Sequence, residues 1–218
     1  METTEETSLE LRATTCEQST LTRSDGSALL TQGNTSVMAA VYGPTEVRPN
    51  KELIDKASVE VVYKPSVGLP GCAERLRECI LRNTCETVIL AGLHPRTSIS
   101  IVLQILEDHG SLLACCINAA TLALLDAAVS VSKLIAAIAC IIDQDGRLHL
   151  DPTLDVESNA VASMTFVFDS VDFDVVSVHT DGCFTNEQFQ SCLTACKEAS
   201  KTVFQFFRDS VTKKLSVV

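Results

Sequence analysis

Residues 110–128 read GSLLACCINAATLALLDAA, and from Leu112 to Ala128 only Asp126 carries a charge. A helix that is apolar on every side must be covered on several sides, so this stretch is predicted as the central core helix of a layered protein. Asn118 and Asp126 make it too polar, and it is too short, for a membrane span of about 20 apolar residues. Just upstream, Ile99, Ile101, Leu103 and Ile105 alternate with Ser98, Ser100 and Gln104. That period of two predicts a strand buried chiefly on one side, closed by Asp108 to Ser111. Downstream, Ile135 to Ile142 is predicted as a buried strand, which Asp145-Gly146 turns into a short partner, Arg147 to Leu150.

Farther out, two β-rich runs between Ser27 and Tyr42 flank Gly33-Asn34, a pair that tolerates positive φ and so signals a hairpin. Pro44 and Pro49 mark a loop, Val59 to Tyr63 a third strand ended by Pro65, and Gly68 to Gly71 a turn-rich connection. Ala73 to Ala91 has Leu76, Ile80, Val88 and Ala91 at helical spacing, with Arg75, Glu78, Arg82 and Glu86 forming a solvated charged face. Val161 to Phe168 and Val175 to His179 are predicted strands. Thr185 opens a long final helix, with Gln188 three residues later completing a capping box. Its predicted buried stripe is Phe189, Leu193, Cys196, Val203, Phe206 and Phe207, and Lys213 and Lys214 suit its C-terminal dipole.

The order of elements gives a mixed α/β class, with 218 residues and 46% hydrophobic content enough for one continuous core. Residues 1–8 are acidic with nothing to bury and are expected to form a mobile tail before a single domain over 9–218. The formal net charge of -11 argues against free-standing nucleic-acid binding, because affinity for a phosphate backbone comes mainly from Lys and Arg. Ten cysteines occur, yet the opening METTEETSLE lacks the apolar stretch of a secretory leader, so a reducing compartment and structural thiols are expected. No C-x-x-C pair supports zinc.

Other chemistry is thin. Asp143-x-Asp145-Gly146 lacks the third oxygen ligand and closing Glu of a calcium loop and is read as a turn. Neither common Gly-rich phosphate loop occurs. His94, His109, His149 and His179 sit in local contexts of packed or solvated side chains. Arg96, at the mouth of the apolar strand, either addresses a phosphate bidentately or forms a surface ion pair.

Taken together, Ser24-Asp25-Gly26-Ser27, Gly33-Asn34-Thr35-Ser36-Val37 and Val41-Tyr42-Gly43-Pro44 resemble the N-terminal signature of the RNase PH family. His94-Pro95-Arg96-Thr97-Ser98-Ile99, Gly110-Ser111-Leu112-Leu113-Ala114 with Asn118-Ala119-Ala120, and Leu150-Asp151-Pro152 extend the similarity from about residue 9 to 212. Gly68-Leu69-Pro70-Gly71, Arg82-Asn83-Thr84-Cys85-Glu86 and Ala114-Cys115-Cys116 resemble, within that family, a core-ring subunit of the animal RNA exosome. The resemblance implies a β-α-β-α domain with two mixed sheets packed on helices.

Active family members cleave RNA by phosphorolysis with an Arg that grips phosphate and two aspartates that handle metal and proton. The resemblance places Leu112 at the Arg position and Glu157 and Ser163 at the aspartates. It therefore implies a catalytically silent subunit without metal or cofactor. Arg96 matches the family's RNA-facing arginine, with Arg77 and Arg82 as further RNA contacts. The implied partners are other RNase PH-like subunits in a six-member ring, RNA-binding cap subunits and RNA in the channel. A homodimer is a possibility for the isolated chain. The implied setting is RNA processing and degradation, including rRNA maturation, in nucleus, nucleolus and cytoplasm. Two rivals stay open: a metal-dependent hydrolytic nuclease on RNA or DNA, acting as a homodimer through Asp151, Asp155 and Glu157, and an interaction module outside the exosome.

Overall fold

A computed structural model describes residues 11–47 and 49–216; the acidic tail expected over 1–8 lies outside the described residues. The Gly33-Asn34 hairpin joins β2 (Gly26–Gln32) and β3 (Thr35–Glu46), with Gln32 opposite Thr35 and Gly33 at φ +59°. A strand without a sequence signal precedes it, β1 (Thr14–Gln18), because at a sheet edge little apolar patterning is required. The predicted third strand is β4 (Ser58–Lys64) and the alternating segment is β5 (Thr97–Glu107). These five strands form one mixed sheet in the order β1-β2-β3-β5-β4, where β4 and β5 run parallel. Their crossover is helix α1 (Cys72–Val88).

The core helix α2 spans Leu112–Asp126, and every residue from Ala114 to Leu124 is buried. Asn118 is tolerated there because its amide bonds the Ala137 backbone in both directions, at 2.9 and 2.8 Å. The second sheet contains β6 (Ile135–Ile142), β7 (Leu148–Leu150), β8 (Ala162–Asp169) and β9 (Val175–Gly182), ordered β7-β6-β8-β9. Every pairing in it is antiparallel. A short helix that carries no periodic signal, α3 (Leu154–Ser158), lies between β7 and β8.

The final helix α4 (Asn186–Ser216) is capped as expected. Thr185 donates its N–H to Gln188 Oε1 (2.9 Å), and the Gln188 N–H returns to Thr185 Oγ1 (3.3 Å). One cluster of buried residues runs through both sheets, α1, α2 and α4. Among the described residues no helix is long and apolar enough to cross a membrane.

Two predicted stripes are corrected. On α1 the buried residues are Leu81, Thr84, Cys85 and Val88, whereas Leu76 is 55% exposed. The helix stops at Val88, since Ile89 turns extended and bridges to Val131. On α4 the buried residues are Cys192, Cys196, Ser200, Phe204 and Phe207, while Phe189, Leu193, Val203 and Phe206 are half-buried. Small residues seat these faces against the sheets as well as large ones do, which hydropathy counting overlooks.

Candidate functional site

Between β5 and α2 the chain makes a tight loop in which Gly110 has φ +97° and Ser111 is left-handed at φ 54°. The loop presses on the segment entering α3. A Cβ at Gly110 would lie 2.6 Å from both Pro152 O and Leu154 N. Leu154 donates its N–H to His109 O (3.0 Å), and Ser111 Oγ donates to Pro152 O (3.0 Å).

At the head of α2, Ser111 donates its N–H to Glu157 Oε2 (3.1 Å), and Leu112, the first helical residue, is 7% exposed. The carboxylate thus lies where the helix dipole and free N–H groups favour an anion. Leu112 and Glu157 are brought together through Ser111. Ser163 sits at the start of β8, opposite Ile141 and Asp181. By strand alternation it faces away from Phe166, whose ring meets Phe189 of α4 at 5.4 Å. Among the described residues, no side-chain hydrogen bond joins Ser163 to Leu112's loop or to Glu157.

Asp151 is committed elsewhere. Its carboxylate, with a side chain 1% exposed, takes Arg12 Nη2 at 2.6 Å and the Arg12 N–H at 3.1 Å. Arg12 also donates to His109 O and Gly110 O, both at 3.3 Å. Burial by itself would raise the Asp151 carboxyl, but the bonds from Arg12, Gln32 and Ser111 outweigh it and hold the group below its ordinary value. Asp155 is exposed. The three acids of the nuclease alternative are therefore divided among an ion pair, a helix N-terminus and solvent. Among the described residues, no group of three or more His, Cys, Asp or Glu side chains is arranged to hold a metal ion. Arg12 had no sequence signal, because its partner lies 139 residues away.

Of the three candidate arginines, Arg77 and Arg82 lie on α1 and Arg96 just before β5. Arg96 is left-handed at φ 59°, its side chain 66% exposed and its Nε 3.5 Å from Glu52 Oε1. Arg77 is half-buried beside Tyr63, whose phenol burial pushes up to about 12 with Arg77 acting in the opposite sense. Tyr63 stands opposite Leu103, seven residues beyond Arg96, a separation of about 23 Å along the strand. Arg82 is exposed on α1 and reaches Cys79 Sγ at 3.6 Å.

Residues 10–130 match the model of the 3' exoribonuclease family, domain 1, and residues 133–199 that of domain 2. The exosome complex exonuclease RRP46 homolog of Arabidopsis thaliana is 32% identical, covering 95% of this chain and 94% of its own. The protein of the same name from Oryza sativa subsp. japonica is 33% identical, covering 94% and 93%. The crystal structure of rice Rrp46 superposes with a TM-score of 0.88 at 35% identity over 93% of this chain and 96% of its own. The Archaeoglobus fulgidus exosome with RNA bound to the active site shares the fold, with a TM-score of 0.80 at 18% identity over 91% and 89%. Matched by both successive models and by relatives along nearly its whole length, the chain belongs to the 3' exoribonuclease family, the RNase PH family.

Proposed function

We propose that this chain is a non-catalytic subunit of the RNA exosome ring. In this reading it pairs with other RNase PH-like subunits in a six-member ring beneath RNA-binding caps and supports 3'-to-5' RNA processing and degradation, including rRNA maturation. The setting is nucleus, nucleolus and cytoplasm, as the family resemblance implies. The observation that carries the silent assignment is the head of α2. Leu112 is buried where a phosphate-gripping Arg would be required, and the Glu157 carboxylate already takes the Ser111 N–H. A second anion there would meet a like charge and no guanidinium.

The experiment is incubation of the pure protein with labelled RNA, varying phosphate and Mg²⁺ independently. No nucleoside diphosphate is expected, since loss of one such electrostatic donor alone costs about 100- to 1,000-fold in kcat. Phosphate-dependent release of nucleoside diphosphates, or Mg²⁺-dependent products lost on Asp155→Asn and Glu157→Gln, would overturn the assignment.

Arg96 supplies the proposed RNA contact, with Arg77 and Arg82 beside the same path. Glu52 is the only acid paired with Arg96 among the described residues, at a long and exposed 3.5 Å, so the guanidinium is readily available to a phosphate. In a ring reconstituted with its partner subunits, Arg96→Glu is expected to shorten RNA protection and weaken RNA binding about 10-fold. Unchanged footprints and affinity remove Arg96 from the path.

A further inference from the structure

The outer edge of the first sheet ends in an open groove of about 720 Å³. One wall is the whole of β1 together with Ser19, and the other is the face of α4 carrying Phe206, Asp209, Ser210, Lys213 and Lys214. Residues of an antiparallel pair turn their N–H and C=O alternately toward and away from the partner strand. The Gly33 N–H bonds Ala13 O and the Ser19 N–H bonds Ser27 O, each at 2.9 Å. The odd-numbered residues of β1 are therefore turned toward β2, and Thr14, Cys16 and Gln18 direct their backbone groups outward.

The preceding outward N–H, that of Arg12, is taken by Asp151. From Thr14 onward, no backbone partner on that side exists among the described residues. The free row starts where the internal partner stops.

The groove is polarised. Phe206 stands with Thr14 beside a small adjoining cavity, whereas Ser19 bonds Asp126, the carboxylate that also holds Lys214. The strand and α4 therefore run in the same direction, from an aromatic end at Phe206 to an end where Lys213 stands one turn beyond Asp209, whose carboxylate accepts from Gln205. Lys214 is neutralised by Asp126, while Lys213 has no ion pair among the described residues.

From these features we propose that the β1–α4 groove binds an extended peptide segment of a partner protein, added as a sixth strand against β1. An antiparallel segment would place an acidic side chain at Lys213 and an apolar one four positions later at Phe206, matching the separation of Gln18 and Thr14. Main-chain bonds to Thr14, Cys16 and Gln18 supply affinity, and the two ends of the groove supply direction. This inference does not depend on the exosome assignment, because it uses neither the head of α2 nor the arginines.

The test uses the full chain and a fluorescein-labelled peptide of about ten alternating valine and threonine residues, with an aspartate followed four positions later by a leucine. Hydrogen exchange should slow at the Cys16 and Gln18 amides when the peptide is present at about 1 mM. N-methylation of the peptide amides that face β1 should weaken binding at least about 10-fold without altering any side chain.

Cys16→Pro removes one outward donor while leaving the ladder to β2 intact, and should weaken binding by a similar factor. Lys213→Glu should reverse the preference from the aspartate peptide to its lysine counterpart. Unslowed exchange at both amides, or equal binding of the N-methylated peptide, overturns the proposal. So does a concentration-dependent dimer of this chain that protects the same amides in the absence of peptide.

Discussion

Asp151→Ala is expected to lower folding stability by about 3–5 kcal/mol, the usual consequence of deleting one partner of a buried ion pair. The Arg12 guanidinium would be left beside β1 with only the carbonyls of His109 and Gly110, which cannot neutralise it. In a chain of this length each kcal/mol moves the melting midpoint by about 2–4 °C, so a fall of about 10 °C is anticipated in thermal unfolding. Arg12→Met combined with Asp151→Leu should recover much of the loss, because matched apolar replacement removes the desolvation penalty on both sides. A shift of under about 2 °C for Asp151→Ala would mean the pair is not buried as described.

The same carboxylate carries a pH signature. Its folded-state pKa is depressed, so its stabilisation is complete above the ordinary Asp value and is lost as pH falls through the lower folded value. Asp126 and Asp169 contribute with the same sign. At each, burial opposes ionisation but is outweighed by hydrogen bonds, led by Lys214 at Asp126 and Lys133 at Asp169. Acid unfolding below about pH 4 should therefore be shallower in Asp151→Asn than in the parent chain. Parallel slopes in urea titrations across that range would contradict the assignment.

Gly110→Ala is expected to be the second severe change, at about 3 kcal/mol or more, combining left-handed strain with a Cβ pushed into the backbone of 152–154. Gly68 provides the control. It too has positive φ, +88°, but nothing lies within 4 Å of its missing Cβ, so Gly68→Ala should cost only about 1 kcal/mol. The difference between the two isolates the contact between the β5–α2 loop and the approach to α3. Hydrogen exchange should locate it, with faster exchange at the Leu154 amide, whose acceptor is His109 O. Equal destabilisation by the two substitutions would leave that contact without energetic weight.

Local pattern explains how far the sequence was legible. The α2 helix was recognisable from 17 residues with one charge, β5 from strict alternation, the β2–β3 hairpin from Gly33-Asn34, and the start of α4 from Thr185 and Gln188. Each of these signals lies within a few residues of the structure that it specifies. The proposed replacement of a phosphate-gripping side chain by Leu112 likewise rests on the sequence, since a residue type at a motif position needs no coordinates.

Long-range placement had no such signature. Arg12 and Asp151 are 139 positions apart, and Ser111 and Glu157 are 46 apart. Nothing in the spacing of either pair distinguishes it from any other charge or serine in the chain. Edge strand β1 was missed because only one of its faces meets the core, and α3 because five residues cannot establish a helical period. Neighbour-to-neighbour preferences and hydropathy periods thus decided the elements. Only the folded chain, by closing loops whose entropy no local pattern records, decided which carboxylate meets α2 and which is held by Arg12.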